Sequence, residues 1–97
     1  MSEEIESILR QAAALGRDCG ARRLVLYGSR ARGDYKERSD IDLAVWDMPE
    51  RSRGMFWAGL EDLPTLLKFD VCHISSLTDR AFLENIEKDG RVLYEKD

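Results

Sequence analysis

Thiol chemistry has little foothold in these 97 residues: the two cysteines, Cys19 and Cys72, lie far apart, without CxxC spacing and without a partner set of ligands. A zinc site and a disulfide framework are thereby set aside, and two buried, reduced thiols are expected. Excess positive charge is missing too. Fifteen Lys and Arg stand against nineteen Asp and Glu, for a net charge of −4, whereas broad electrostatic binding to DNA or RNA depends on cations that neutralise phosphates. A small substrate or a protein partner fits better. No apolar run approaches membrane-spanning length, and the opening MSEEIESILRQ is acidic and amphipathic rather than basic and then apolar, so the cytoplasm is the expected address. Internal repeats and low-complexity segments are absent. The length suits one domain, residues 1–97, because a second core would have too little apolar surface to bury.

What is present is an alternation of helical and extended patterns. From Glu3 to Asp18, Ile5, Ile8, Leu9, Ala12 and Leu15 recur at helical spacing behind Ser2, a natural N-cap. Arg22 to Tyr27 holds the short apolar run Leu24-Val25-Leu26, a buried strand stopped by Gly28. Gly28 to Gly33 reads as one or two helical turns between glycines, followed by a polar connection over Asp34 to Ser39. Ile41 to Trp46 is the second strand, with Ile41, Leu43 and Val45 on one face and Asp40, Asp42 and Ala44 on the other. Pro49 to Gly54 reads as a loop and Met55 to Leu63 as a short helix ended by Pro64. Lys68 to Ile74 is the third strand; Thr78 opens a last helix that Gly90 closes, and Arg91 to Tyr94 adds a final strand. The expected fold is α/β (α+β): a small mixed sheet with helices on one face and carboxylates on the other.

Those carboxylates carry the chemistry. A D-x-D pair on a strand, Asp40 and Asp42, projects two oxygen ligands to one side, and Asp70 sits between Phe69 and Val71 in an otherwise apolar strand. Hard divalent cations take carboxylate oxygens, and two ions about 3.5–4 Å apart can hold the attacking and leaving oxygens of a phosphoryl-type transfer in line. Upstream, Gly28-Ser29 ends a strand and starts a helical turn, so backbone N–H groups and the Ser29 hydroxyl can face phosphates, with glycine permitting close approach. Arg30, Arg32, Lys36 and Arg38 lie nearby; Arg32 is the first candidate to supplement the phosphate site, and the group as a whole also reads as a solvated face.

Gly28-Ser29, ten residues, then Asp40-Ile41-Asp42 resembles the signature of the polymerase-β-type nucleotidyltransferase superfamily. The wider run GSRARGDYKERSDIDLAV is similar to its minimal nucleotidyltransferase (MNT) branch, the MNT antitoxins paired with HEPN-domain toxins, and similarity of organisation extends from about Arg22 to Ile74. The resemblance implies that Asp40 and Asp42 bind both Mg²⁺ ions, that Asp70 serves the metal nearer the acceptor and helps activate its hydroxyl, and that Gly28 and Ser29 hold the triphosphate of ATP. It further implies transfer of AMP to a tyrosine of a HEPN-domain toxin, which silences the toxin. Larger relatives carry a helical domain that helps bind acceptor; a partner protein is expected to supply that surface here.

Two other readings stay open. One is a non-catalytic antitoxin that inhibits by binding; the other is transfer to a small molecule such as an antibiotic. A blander view of the aspartates, ordinary surface ion pairs with the many arginines, leaves the Gly-Ser spacing unexplained. His73 is left outside the site as a packed strand residue. Trp46, Phe56 and Trp57 fit either a base-stacking surface or the core, and Met55, Phe56 and Leu60 either an exposed partner patch or the core. Nucleotide preference, oligomeric state and independence from a partner are not legible in the residues.

Overall fold

Helix and strand alternate along the whole of the computed structural model, which describes residues Met1–Asp97: α1 (Glu3–Asp18), β1 (Arg23–Tyr27), α2 (Ser29–Arg32), β2 (Ile41–Trp46), α3 (Glu50–Glu61), β3 (Phe69–Ile74), α4 (Arg80–Asp89) and β4 (Arg91–Glu95). The first helix begins where its cap dictates. The Ser2 hydroxyl accepts the Ile5 N–H at 3.3 Å, and Glu3, Glu4 and Glu6 place negative charge against the positive end of the helix.

Four strands form one sheet in the order β3-β2-β1-β4. Strand β1 pairs antiparallel with β2 and β4, and β3 lies parallel to β2 because α3 carries the chain back between them. On one face, Leu24, Leu26, Ile41, Leu43 and Val45 meet Leu9 and Ala12 of α1 and Phe56 and Leu60 of α3 in the main core. The other face is not bare. Ile86 of α4 packs on Val25 and Ala44, and Phe82 meets Tyr27 edge-on with ring centroids 5.3 Å apart. The expected mixed sheet is present, therefore, but helices are not confined to one face. The apolar residues Val25 and Ala44 between the polar ends of that face need cover, and α4 supplies it.

The segment expected as a loop over Pro49 to Gly54 is largely helix: α3 starts at Glu50 directly behind Pro49. Proline suits that place, since its absent N–H is one a helix start leaves unsatisfied anyway. Thr78 does not open the last helix. Its hydroxyl accepts the Ser75 N–H at 2.9 Å, and Asp79 takes over as cap by accepting the Phe82 N–H at 3.3 Å. Cys19 is buried and Cys72 half-buried, both as free thiols. No helix is long and apolar enough to cross a membrane.

A bidentate ion pair ties the ends of the chain together. Arg91, at the start of β4, donates to both carboxylate oxygens of Glu6 in α1, at 2.9 and 2.6 Å, and this hydrogen bonding holds the Glu6 carboxyl below its ordinary 4.5. Because the folded state depresses this pKa, the pair stabilises the fold above the unfolded value and that contribution is lost as pH falls through the folded one. Arg91→Met is expected to cost about 0.5–1 kcal/mol at pH 7, the range for a largely exposed pair, and almost nothing at pH 3. Urea melts at the two pH values check this; an equal loss at both would assign the effect to packing.

Candidate active site

The site is assembled at the end of β1. Gly28 has φ 76° and ψ −157°, a conformation open almost only to glycine, and it caps α2. Its Cα faces the next strand so closely that a Cβ built there would lie well inside the van der Waals contact distance from the Asp42 Oδ2 oxygen. The turn that follows is closed by the Ala31 and Arg32 N–H groups on the Gly28 carbonyl, both at 3.1 Å, and by Gly33 N–H on the Ser29 carbonyl at 2.9 Å. The N–H groups of Ser29 and Arg30, as the first of the turn, have no helical carbonyl before them.

Strand register brings the carboxylates to this turn. Asp42 lies opposite Tyr27 across the antiparallel β1–β2 ladder and opposite Asp70 across the parallel β2–β3 ladder. Side chains at paired positions share a face, so Tyr27, Asp42 and Asp70 form one row across three strands. Asp42 is half-buried, while Asp70 and Asp40 are exposed. Asp70 stands between Phe69 and Val71 as expected, and because β3 is an edge strand its carboxylate reaches solvent.

Burial raises the Asp42 carboxyl above its ordinary pKa, repulsion from Asp70 and then Asp40 adds to the rise, and Arg32 partly opposes it. The same surroundings act on Tyr27, whose phenol is pushed up to about 12, first by burial and then by Asp42 and Asp70. None of Asp40, Asp42 and Asp70 enters any of the six ion pairs of the protein. In a chain with fifteen basic residues, that argues against the surface ion-pair reading. No three His, Cys, Asp or Glu side chains converge tightly enough to enclose a metal by themselves. The donor set nevertheless fits hard divalent cations in its chemistry: three coupled carboxylates without protein partners, and a glycine backbone pressed against the central one.

The basic residues of the connection divide. Arg32 is exposed and rests against Asp34 at 3.4 Å, within electrostatic reach of Asp42; Lys36 and Arg38 are exposed. Arg30 turns the opposite way and is buried, at 5% exposure, which reading the arginines together as a solvated face missed. Tyr27 was missed as well; its position immediately before Gly28 was the available signal. His73 lies on the main-core side of β3, its pKa lowered by burial and by Arg53, with Nδ1 unpartnered and away from the carboxylate row. Phe56 and Leu60 are core, Trp46 is half-buried beneath the Arg23 guanidinium at 4.7 Å, and Met55 and Trp57 are exposed on α3. An open groove of 1440 Å³ is lined by Ile5, Ile8, Leu63, Leu67, Arg38 and Lys68 among others; it touches Asp40 but neither Asp42 nor Asp70.

At one end of a mixed sheet, then, a glycine-serine turn is set against Asp42 of β2, with Asp70 of β3 beside it. The family model for polymerase beta nucleotidyltransferases matches residues 3–97, and the chain belongs to that family. Among curated relatives, the protein adenylyltransferase MntA of Thermococcus cleftensis is 38% identical over 68 residues, covering 69% of this chain and 56% of that protein. A Methanocaldococcus jannaschii protein, provisionally named a protein adenylyltransferase, is 36% identical over 86 residues, covering 75% of this chain and 78% of its own length. The chain thus spans little more than half of the first relative. Among solved structures, a toxin-antitoxin complex with AMP-PNP superposes with a TM-score of 0.64 at 20% identity, over 99% of this chain and 76% of that one. A mutant of the toxin-antitoxin MntA-HpeT gives the same TM-score at 18% identity, over the same shares. At such identities these two support the fold.

Proposed function

We propose that this protein is a Mg²⁺-dependent protein adenylyltransferase and an antitoxin, transferring AMP from ATP to a tyrosine hydroxyl of a HEPN-domain toxin. The observation that carries the catalytic part is the contact between Gly28 and Asp42, with Asp70 directly opposite Asp42: backbone suited to phosphate and carboxylates suited to metal meet at one place. Kinship with the two relatives named as adenylyltransferases supports protein as acceptor.

In this reading Asp40, Asp42 and Asp70 hold two Mg²⁺ ions, which when bound neutralise the triphosphate and the charge that develops on the leaving pyrophosphate. Gly28 and Ser29 orient the β- and γ-phosphates through backbone N–H groups and the Ser29 hydroxyl, and Arg32 swings from Asp34 to add positive charge. The acceptor oxygen bonds to the α-phosphorus as the bond to the β-phosphate oxygen breaks; pyrophosphate leaves, and Asp70 accepts the hydroxyl proton. Tyr27, with its phenol protonated throughout the neutral range, forms the floor beside Asp42.

The test is incubation of the pure protein with α-labelled ATP, Mg²⁺ and lysate of its own host, comparing wild type with Asp40→Asn/Asp42→Asn on a gel. A labelled protein band that requires the aspartates is expected, and its mass identifies the acceptor. Label transferred instead to a small molecule would replace the acceptor class, and protection from a toxin by the double variant as good as that by wild type would replace catalysis with occlusion.

A further inference from the structure

Of the cationic side chains in this protein, Arg30 is the buried one, and it is spent on backbone. Its Nε donates to the Ser39 carbonyl at 2.9 Å and its Nη2 to the Glu37 carbonyl at 3.0 Å, while the guanidinium lies over the Tyr35 ring at 4.8 Å. The residues it grips form the end of the connection between α2 and β2. That connection is otherwise held by a small turn, in which the Lys36 N–H donates to Ser39 Oγ at 2.8 Å and the Ser39 N–H to the Lys36 carbonyl at 3.0 Å.

The consequence falls on Asp40. On one side its neighbour Ser39 is held by Arg30; on the other its neighbour Ile41 donates its N–H to the Lys68 carbonyl at 2.9 Å, at the entrance to β3. Asp40 lies outside both ladders and its own side chain enters no ion pair, so its place depends on what holds its neighbours: the bond from Ile41 on one side, and on the other the Lys36–Ser39 turn and the Arg30 bond to the Ser39 carbonyl. Of these, only the Arg30 bond reaches back to a side chain next to Ser29. We infer that Arg30 is a positioning residue: it couples the Gly28-Ser29 turn to Asp40 and so sets the distance between the phosphate-facing backbone and the first carboxylate of the D-x-D pair. The planar fork matters, because two carbonyls separated by one residue are reached at once by guanidinium nitrogens and singly by an ammonium.

This inference rests on the proposed metal site, and its test separates the two. Mn²⁺ alone is titrated into wild type, Asp40→Asn, Arg30→Met, Arg30→Lys and Tyr35→Ala, followed by loss of the free-ion EPR signal, with amide exchange over residues 36–41 and thermal melts recorded for each. The expected result is about a tenfold loss of Mn²⁺ affinity in Arg30→Met, in the range for removing a residue that orients a ligand, with a smaller loss in Arg30→Lys and faster exchange confined to the connection. Should Arg30→Met fail to fold, Tyr35→Ala removes the stacking partner without stranding the carbonyls and carries the same expectation in weaker form. A merely structural role would lower the melting temperature and leave Mn²⁺ affinity at the wild-type value in both Arg30→Met and Arg30→Lys, overturning the inference. Equal binding by wild type and Asp40→Asn would overturn the metal site, and this inference with it.

Discussion

Gly28→Ala is expected to abolish nucleotidyl transfer and to destabilise the fold, whereas Gly33→Ala is expected to do only the second. Both glycines have positive φ, 76° and 95°, so each alanine carries backbone strain of about 1–3 kcal/mol. They differ in what a side chain would meet. Nothing lies within 4 Å of a Cβ on Gly33, but a Cβ on Gly28 collides with the Asp42 carboxylate. That oxygen cannot yield without moving β2 or swinging the carboxylate out of the row it forms with Asp70. A displacement of about 1 Å at a reacting group costs on the order of 100-fold in rate, and the Gly28 variant should lose at least that much in kcat/KM. Melting temperatures and ATP-dependent labelling of the two variants side by side decide it: activity in Gly28→Ala comparable to that of Gly33→Ala would mean that the close approach has no catalytic role.

Asp42→Asn should lose nearly all activity and yet be more stable than wild type in the absence of metal. The carboxylate is half-buried between two others, and its pKa is raised by that burial and by Asp70 and Asp40. A folded-state pKa above the unfolded value means that the ionised group opposes folding at neutral pH, and that the penalty fades as pH falls below the carboxyl range, where both states are protonated. The amide keeps the shape and removes the charge. After allowance for solvent screening at a partly open position, the gain is expected to be under about 1 kcal/mol, a rise of a few degrees in Tm for a domain of this size. Transfer should fall by on the order of a thousandfold, since on the proposed mechanism Asp42 holds the metal against the phosphates and several kcal/mol of charge stabilisation would go with it. Adding Mg²⁺ and a non-hydrolysable ATP analogue should reverse the ranking, because ligand stabilises only the form that binds it. Melts at pH 7 and pH 3, with and without ligand, test all four corners; a less stable metal-free Asn variant at pH 7 would show that Asp42 has a structural partner instead. Selection for the site over stability is a familiar compromise in enzymes.

How far each of these features was legible follows from how far apart its residues lie. The helix Glu3–Asp18 and the strand Ile41–Trp46 have the bounds their hydrophobic periods predict, because capping and side-chain alternation depend on near neighbours. Gly28-Ser29 and the D-x-D pair were readable for the same reason: a turn and a strand ten residues on leave few ways to join them. The segment after Pro49 misled because Pro, Ser and Gly together imitate a loop, while Phe56 and Leu60 pull it into a helix by packing on α1 and the sheet.

By itself, then, the sequence determined the family and singled out the candidates for its chemistry, Gly28, Ser29 and the aspartates. Only the tertiary structure decided how they meet. Nothing in the local pattern distinguishes Arg30 from Arg32 two positions later, yet one is folded inward onto the Ser39 and Glu37 carbonyls and the other remains beside the site. Nor does the pattern state that α4 crosses to the second face, or that β3 aligns Asp70 with Asp42 twenty-eight positions earlier in the chain. Such pairings are settled by the common burial of Leu24, Leu43, Phe56 and their neighbours, a free energy that exists only when distant segments have closed on one another.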